Sequence, residues 1–413
     1  MNILFLCNKS PYPAREGGPI AMSMMIDGFL QAGHKVKVLA VNSEKYSVEL
    51  SAIPGEYRMK TGIEFVELDL RIKPIPAFLN LFTSKSYHVE RFISADFKSR
   101  LEKILQKEEF DIVQFEMLFM SPYAETVRKY SNARLIYRAH NVEHIIWERI
   151  ANNTKNPLRR FYLHHISGTL KAYEYSVIHD FDGIVAITEN DAKFFREVIA
   201  GKKIRTNDEC MMPEQVITIP FGIDLSRFPE TSTDFEFPSL FSIGSMDWSP
   251  NSEGISWFLE KVWPEAHKEF PSLKYYIAGR NMPEWLTNSR YPNVVIVGEV
   301  DDSLSFIHSK AIMVVPLLSG SGIRIKIIEA MAASKAIIST TIGAEGIRCT
   351  DGRNILLANQ PSEFIDAISK VYADINLCKL LGKNARKLIE EEYQQKNLIL
   401  KLLAFYEKPG TRS

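Results

Sequence analysis

The stretch VVPLLSGSGIRIKIIEAMA, Val314 to Ala332, sets two glycines, two cations and one carboxylate into a strand–turn–helix pattern. Backbone amides around Gly320, Ser321 and Gly322 at a helix start would point at a ligand and, with the helix dipole, favour an anion. Gly322, Lys326 and Glu329 are spaced i, i+4, i+7 and share one face of such a helix. An anion at the amides, an ammonium beside it and a carboxylate two turns along would hold a diphosphate and a ribose together, because a carboxylate accepts both hydroxyls of a cis-diol. The same spacing also fits an amphipathic helix with a solvated Lys326/Glu329 pair. The stretch has neither a Walker lysine nor a dinucleotide fingerprint.

Two further places invite chemistry. In NKSPYPAREGGPI, Gly17 and Gly18 open a helix just after an apolar run, which suits an anion site or an ordinary loop. In YRAHNVEHIIWER, His140 stands between a strand and a helix led by Asn141. That position suits a functional side chain and equally a structural histidine.

The elements that must position these residues are legible as alternation. Strands are expected at Ile3–Cys7, Lys35–Val41, Phe65–Leu68, Ile112–Phe115, Leu135–Arg138, Gly183–Ile187 and Val216–Ile219, with helices between. The pattern restarts with Leu240–Ile243, Tyr275–Ala278, Val294–Val297, Ala311–Val315, Ala336–Ser339 and Ile355–Leu357. Continuous apolar strands separated by helices specify parallel sheets covered on both faces. The fold class expected is α/β, with two doubly wound, Rossmann-like domains. Residues 1–219 form the first and 239–383 the second. A proline-bearing linker spans 220–238, and a C-terminal helix within 384–413 is expected to pack back on the first domain. Ligands in such folds bind at the carboxyl ends of the strands.

Composition narrows the function classes. Fifty basic and fifty acidic residues leave no net charge, which argues against nucleic acid as a partner. Cys7, Cys210, Cys349 and Cys378 are scattered, with no C-x-x-C pair, and read as reduced thiols rather than metal ligands or disulfides. No run approaches the ~20 apolar residues of a membrane span and no signal peptide is visible, so a cytoplasmic location is expected.

Taken in order, the motifs resemble those of the retaining glycosyltransferases of family four. They are SPYPAREGG (Ser10–Gly18), RAHNVEH (Arg138–His144), PFGID (Pro220–Asp224), SIGSMDWSPN (Ser242–Asn251), YYIAGR (Tyr275–Arg280), VVIVGEVDD (Val294–Asp302), VPLLSGSGIRIKIIEAMA and STTIGAEGI (Ser339–Ile347). The resemblance implies the GT-B architecture, two domains facing across a cleft. It implies hexose transfer from a nucleoside-diphosphate sugar to a glycan or lipid-linked acceptor, with retention of configuration, in cell-envelope polysaccharide or glycolipid assembly. It gives Glu329 to the donor ribose, Gly17 and Gly18 to the diphosphate and sugar, His140 to the hexose near its reacting carbon, and the main chain at Val300 to the base. No metal and no cofactor are implied.

Two departures stand out. Ser321 occupies the position of a glutamate common in the family, so the backbone amides from Ser321 to Ile323 would take over its contact with the donor sugar. GSMDWSPN, opening at Gly244, lacks the arginine and lysine usual there, so Arg324, Lys326 or Arg280 must meet the diphosphate charge. A sugar-nucleotide epimerase on the same scaffold and a non-catalytic sugar-nucleotide-binding partner are the rival readings. The segment Arg71 to Phe92, rich in aromatics and bases, is either an insertion packing its aromatics inside or a peripheral contact with the inner face of a membrane.

Overall fold

The computed structural model describes residues 1–14, 17–203, 215–229, 235–320 and 323–408. It divides into two units, residues 1–222 with 396–413, and residues 223–395. Each is built on one parallel sheet with helices between its strands, the Rossmann-like plan.

In unit 1 the strands are β1 (Asn2–Cys7), β2 (Lys35–Asn42), β3 (Glu64–Glu67), β4 (Ile112–Glu116), β5 (Arg134–Ala139), β6 (Gly183–Ala186) and β7 (Val216–Thr218). Their spatial order is β3-β2-β1-β4-β5-β6-β7. In unit 2 the strands are β8 (Glu236–Ile243), β9 (Lys274–Ala278), β10 (Val294–Gly298), β11 (Lys310–Val315), β12 (Ala336–Ser339) and β13 (Leu356–Leu357), in the order β10-β9-β8-β11-β12-β13. The order reverses between β1 and β4 in the first sheet and between β8 and β11 in the second. A crevice opens outside the strand ends at such a switch point, because the connecting helices leave to opposite faces. Gly17 and Gly18 follow β1. Gly244 follows β8, and Gly320 and Arg324 follow β11.

The inner strands are largely apolar because both faces are covered, whereas the edge strands β3 and β10 are partly exposed. In unit 1, Leu4, Leu6, Val113 and Phe115 face one core, while Ile3, Phe5, Val38 and Ile136 face another. The second core includes Leu398, Leu402, Phe405 and Tyr406 of the last helix, Gln395–Tyr406. Arg134 at the start of β5 donates from Nη1 to the carbonyls of Phe405 at 3.1 Å and Tyr406 at 2.7 Å. A cation on the terminal carbonyls satisfies acceptors that the helix leaves open and meets the negative end of its dipole.

Three expected boundaries differ. The helix after β11 begins at Ile325, and Arg324 is its extended N-cap residue (φ −87°, ψ 96°), so Ile323 and Arg324 lie outside the helical repeat. Glu236 to Pro238, expected in the linker, begin β8. There Glu236 accepts from the Tyr276 hydroxyl at 2.8 Å and pairs with Lys310 Nζ at 2.6 Å, which ties the segment to two strands. The expected single helix from Asn384 to Tyr406 is the end of one helix, Ile375–Glu392, and the whole of another. The chain breaks at Tyr393, whose carbonyl accepts from Ile223 N at 2.8 Å, while Gln395 N donates to Ile223 O at 3.0 Å.

Two glycines test the packing with opposite sign. A Cβ on Gly183 would come within 2.7 Å of the Phe405 ring and 3.0 Å of Ile136, whereas one on Gly168, inside the helix Pro157–Val177, would meet nothing within 4 Å. Gly183→Ala is expected to cost about 1–3 kcal/mol by overpacking, and Gly168→Ala to gain about 0.4–1 kcal/mol through the unfolded chain. Urea unfolding of both variants checks this. Equal stabilities would mean that the last helix does not press on β6.

Candidate functional site

In unit 2 the site grows from two glycine turns in contact. The chain leaves β8 at Gly244 (φ +156°) and β9 at Gly279 (φ +145°). A Cβ on Gly279 would stand 1.8 Å from the Gly244 carbonyl oxygen, so no other residue fits there without moving the backbone. Hydrogen bonds carry the sheet past the strand ends: Gly244 N to Ala278 O at 3.1 Å, Gly279 N to Gly298 O at 2.7 Å, and Met246 N to Arg280 O at 2.9 Å. These bonds fix the turn after β8 as rigid backbone.

Lys326 reaches this turn from the helix after β11. Its Nζ lies 3.4 Å from where a Cβ of Gly244 would be and donates to Asn251 Oδ1 at 2.8 Å. Asn251 in turn donates from Nδ2 to Ser245 O at 2.8 Å, so its amide is oriented with oxygen toward the ammonium. The ammonium has a neutral acceptor and no carboxylate partner among the described residues. Burial first, and then the charge of Arg324, bring its pKa down to about 7.

Arg324 is buried, and its guanidinium lies 5.3 Å from the centroid of the Trp248 ring. A Cβ on Gly320 (φ +113°) would come within 2.9 Å of Arg324 Nη2 and 3.2 Å of that ring, so the glycine leaves the space the pair occupies. Burial lowers the Arg324 pKa, and the charge of Glu345 works against that lowering. Glu329 lies one turn beyond Lys326 but does not receive its ammonium, so the solvated pair is not what this helix forms. Burial raises the Glu329 carboxyl above its ordinary value, opposed by the charge of Arg227.

The other expected residues of unit 2 are placed around this centre. Arg280 follows Gly279, and its charge helps to hold the Asp247 carboxyl low, after the hydrogen bond from Ser245. Val300 is half-buried two residues beyond β10. Ile323 is buried just ahead of Arg324. Ser321 and Gly322 lie outside the described residues, so the amide contact expected of them has no geometry here.

In unit 1, Gly17 and Gly18 begin the helix Gly17–Gln31, and a Cβ on Gly18 would stand 3.2 Å from Lys9 Cε, which brings a lysine side chain to that helix start. His140 follows β5, and its Nε2 lies 2.6 Å from Glu116 Oε2 at the end of β4. Arg138 Nε stands 3.7 Å from the same oxygen, Gln114 donates to the other, and the Tyr406 hydroxyl donates to Gln114. Burial pushes the Glu116 carboxyl up, but the donors and charges of His140, Arg138 and Gln114 together hold it below its ordinary value. His140 is therefore fixed by a carboxylate that the sequence alone did not single out.

The helix Glu143–Asn153 has no side-chain cap of its own at Val142. Glu174 supplies one: it accepts from Glu143 N at 3.2 Å and His144 N at 3.4 Å, and pairs with His144 Nδ1 at 2.7 Å. The anion position of that helix is filled by the protein itself. Burial and the neighbouring Glu174 raise the Glu143 carboxyl to about 8, so it is held neutral.

Trp248, Asn251, Glu345, Glu116 and Glu174 were not expected as site residues. Trp248, Asn251 and Glu345 stand inside quoted motifs, and Glu116 closes a strand beside the switch point, which is a usable signal. Nothing local marks Glu174. Among the described residues no group of three or more His, Cys, Asp or Glu side chains is arranged to hold a metal ion.

Known proteins resemble this chain. Residues 237–374 match the family Glycosyl transferases group 1. An uncharacterized 44.6 kDa protein in the cps region of Klebsiella pneumoniae is 23% identical over 96% of this chain and 97% of its own length. Sucrose-phosphate synthase from Thermosynechococcus elongatus superposes with a TM-score of 0.68 at 15% identity, over 99% of each chain. The Anabaena protein HepE in complex with UDP superposes at 0.66 and 13% identity, over 98% of this chain and 99% of its own. The fold is that of the GT-B glycosyltransferases.

The state of Lys326 makes stability depend on pH. Between about 7 and its ordinary value of 10.5 the unfolded chain holds a proton on Lys326 that the folded chain has lost. Stability attributable to this group therefore rises with pH across that window and is lowest below it. Lys326→Met is expected to melt at a higher temperature than the parent at pH 7, with the gap narrowing toward pH 10. Parallel melting curves for the two proteins across this range would show that the ammonium is not taken out of water.

Proposed function

We propose that this chain is a retaining glycosyltransferase. It moves a hexose from a nucleoside-diphosphate sugar to a hydroxyl of a glycan or lipid-linked acceptor, in cell-envelope polysaccharide or glycolipid assembly. The observation that carries the reading is Lys326: a half-buried side chain whose ammonium meets no carboxylate among the described residues and is held by Asn251 over a rigid glycine turn at the switch point of unit 2. An arrangement that withholds the anion needed by a cation is prepared to receive one from a ligand. The match of residues 237–374 to Glycosyl transferases group 1 and the UDP held by HepE support a nucleoside diphosphate as that ligand.

In the reaction the bond from the hexose anomeric carbon to the β-phosphate oxygen breaks, and its electron pair stays on the phosphate. The acceptor oxygen bonds the same face of that carbon, and its proton passes to the departing phosphate. Lys326 and Arg324 act on the phosphate, where negative charge grows, and that is the place where fixed cations lower the barrier. Glu329 takes the ribose hydroxyls, Gly17 and Gly18 lie against the diphosphate and sugar, and the main chain at Val300 reads the base. His140 serves the hexose, its ring fixed by Glu116. No nucleophilic side chain is required, and orientation does much of the work.

Two measurements test this. Lys326→Met is expected to weaken nucleoside diphosphate binding by about 1.5–3 kcal/mol and binding of the bare nucleoside hardly at all, since only the former carries the opposing charge. Arg324→Met is compared in the same calorimetry. Equal losses for both ligands, or none with either variant, remove the charge replacement. His140→Ala is expected to lower kcat and kcat/KM together, roughly 10–100-fold, with donor affinity little changed. An increase in KM alone would give His140 to binding only. Activity is read as acceptor-dependent release of nucleoside diphosphate, which an epimerase would not show.

A further inference from the structure

Two stretches of unit 1 carry cations and no acids. Leu70 to Val89 contains Arg71, Lys73 and Lys85; Arg149 to Tyr173 contains Arg149, Lys155, Arg159, Arg160 and Lys171. Neither holds an aspartate or glutamate, although the chain as a whole balances fifty of each sign. The fold brings the two stretches together: His165 Nε2, from the second, lies 3.1 Å from the Asn80 carbonyl of the first.

The same two stretches expose large apolar side chains. Ile75 is 74% exposed, Phe82 77%, Leu158 82% and Phe161 69%, and the Phe78 and Phe82 rings meet edge to face at 5.6 Å. Single exposed apolar residues are ordinary on any surface, but several of them on two contacting stretches that carry only cations are not. Arg71 and Lys73 share Asp69, and Lys85 pairs with Glu90. Lys155, Arg159 and Arg160 are exposed and take part in no ion pair among the described residues. Arg71, Lys73, Lys85 and Arg91, with the carboxylates of Asp69 and Glu90 between them, border an open hollow of about 560 Å³. No described helix is long and apolar enough to cross a membrane.

We infer that this face docks on a bilayer containing anionic lipid, with Phe78, Phe82, Leu158 and Phe161 entering the boundary between headgroups and acyl chains and the arginines and lysines lying at the phosphates. Apolar side chains that protrude among cations suit insertion between anionic headgroups. Protein interfaces share the aromatics and arginines but are depleted in lysine and in charge at their cores, and Lys73, Lys85, Lys155 and Lys171 stand among the apolar residues of these stretches. The inference rests on unit 1 alone and is independent of the transferase reading.

Flotation of the full chain tests it, with vesicles of equal phosphatidylcholine and phosphatidylglycerol against vesicles of phosphatidylcholine alone. Binding is expected to the first and not the second, and to weaken as salt is raised. Arg159→Glu with Arg160→Glu should lower partitioning on the order of tenfold or more. Phe78→Ser with Phe82→Ser should lower it comparably and leave only the salt-sensitive part. All four side chains are exposed, so melting temperatures should not change. No flotation of the parent chain at low salt, or equal flotation of parent and variants, overturns the proposal. So does a concentration-dependent dimer that the phenylalanine variants abolish, which would give the face to a second copy of the chain.

Discussion

An ammonium drawn partly out of water loses hydration unless an opposing charge replaces it, and the half-buried Lys326 of unit 2 is in that position. The neighbours follow from this one constraint. Asn251 offers an amide oxygen at 2.8 Å, which satisfies a hydrogen bond without neutralising the charge. Gly244 must be bare, because a side chain there would meet both Asn251 and Lys326. Gly279 must be bare so that the turn after β8 can close on the turn after β9. Arg324, a second cation, lies over an aromatic face at Trp248, and the charge of Glu345 acts on it as well.

Unit 1 treats its buried charges in the opposite way. Glu116 is surrounded by His140, Arg138 and Gln114, and Glu174 by His144 and two backbone amides. Each carboxylate there is answered within the protein. A network satisfied in this manner holds its members in one orientation, and removing any partner leaves the others buried without compensation. The consequence for His140 is a fixed ring, with one nitrogen committed to Glu116 and the tautomer set by that bond. The Tyr406 hydroxyl, on the last helix, closes the far end through Gln114. The terminal helix therefore supports the histidine as well as the hydrophobic core.

What the sequence reveals is the part governed by local periodicity. The described strands are recognisable as short apolar runs, because a strand in the sheet interior, covered on both faces, must be largely apolar. Boundaries set by distant contacts are not recognisable. Glu236 belongs to a strand because Lys310 and Tyr276 reach it, and Tyr393 ends a helix where Ile223 takes its carbonyl. The site divides in the same way. Lys326 and Arg324 could be singled out from the residues of one segment. Asn251 could not, since its role exists only where the turn after β8 meets the helix after β11, and Glu116 needed the strand order to place it beside His140. The helical face drawn through Gly322, Lys326 and Glu329 extended the repeat past its true start at Ile325. The reason is that Arg324 has extended backbone and turns its side chain to Trp248 instead of continuing the helix.

In a transferase of this design the two departures from the family pattern have opposite electrical sign and belong together. The turn after β8 lacks the arginine and lysine of the pattern, which removes positive charge from one side of the diphosphate. Under the proposed reading Lys326 restores it, and its Nζ lies 3.4 Å from the Cβ position that Gly244 leaves empty. Ser321 in place of glutamate removes a negative charge three residues before Arg324 and five before Lys326. A carboxylate kept there would compete with the ligand for both cations, and an ammonium already neutralised by the protein gains little from a phosphate. Moving the cations to the helix after β11 thus removes the reason to keep the glutamate. The amides of a short polar turn can make its sugar contact without adding charge.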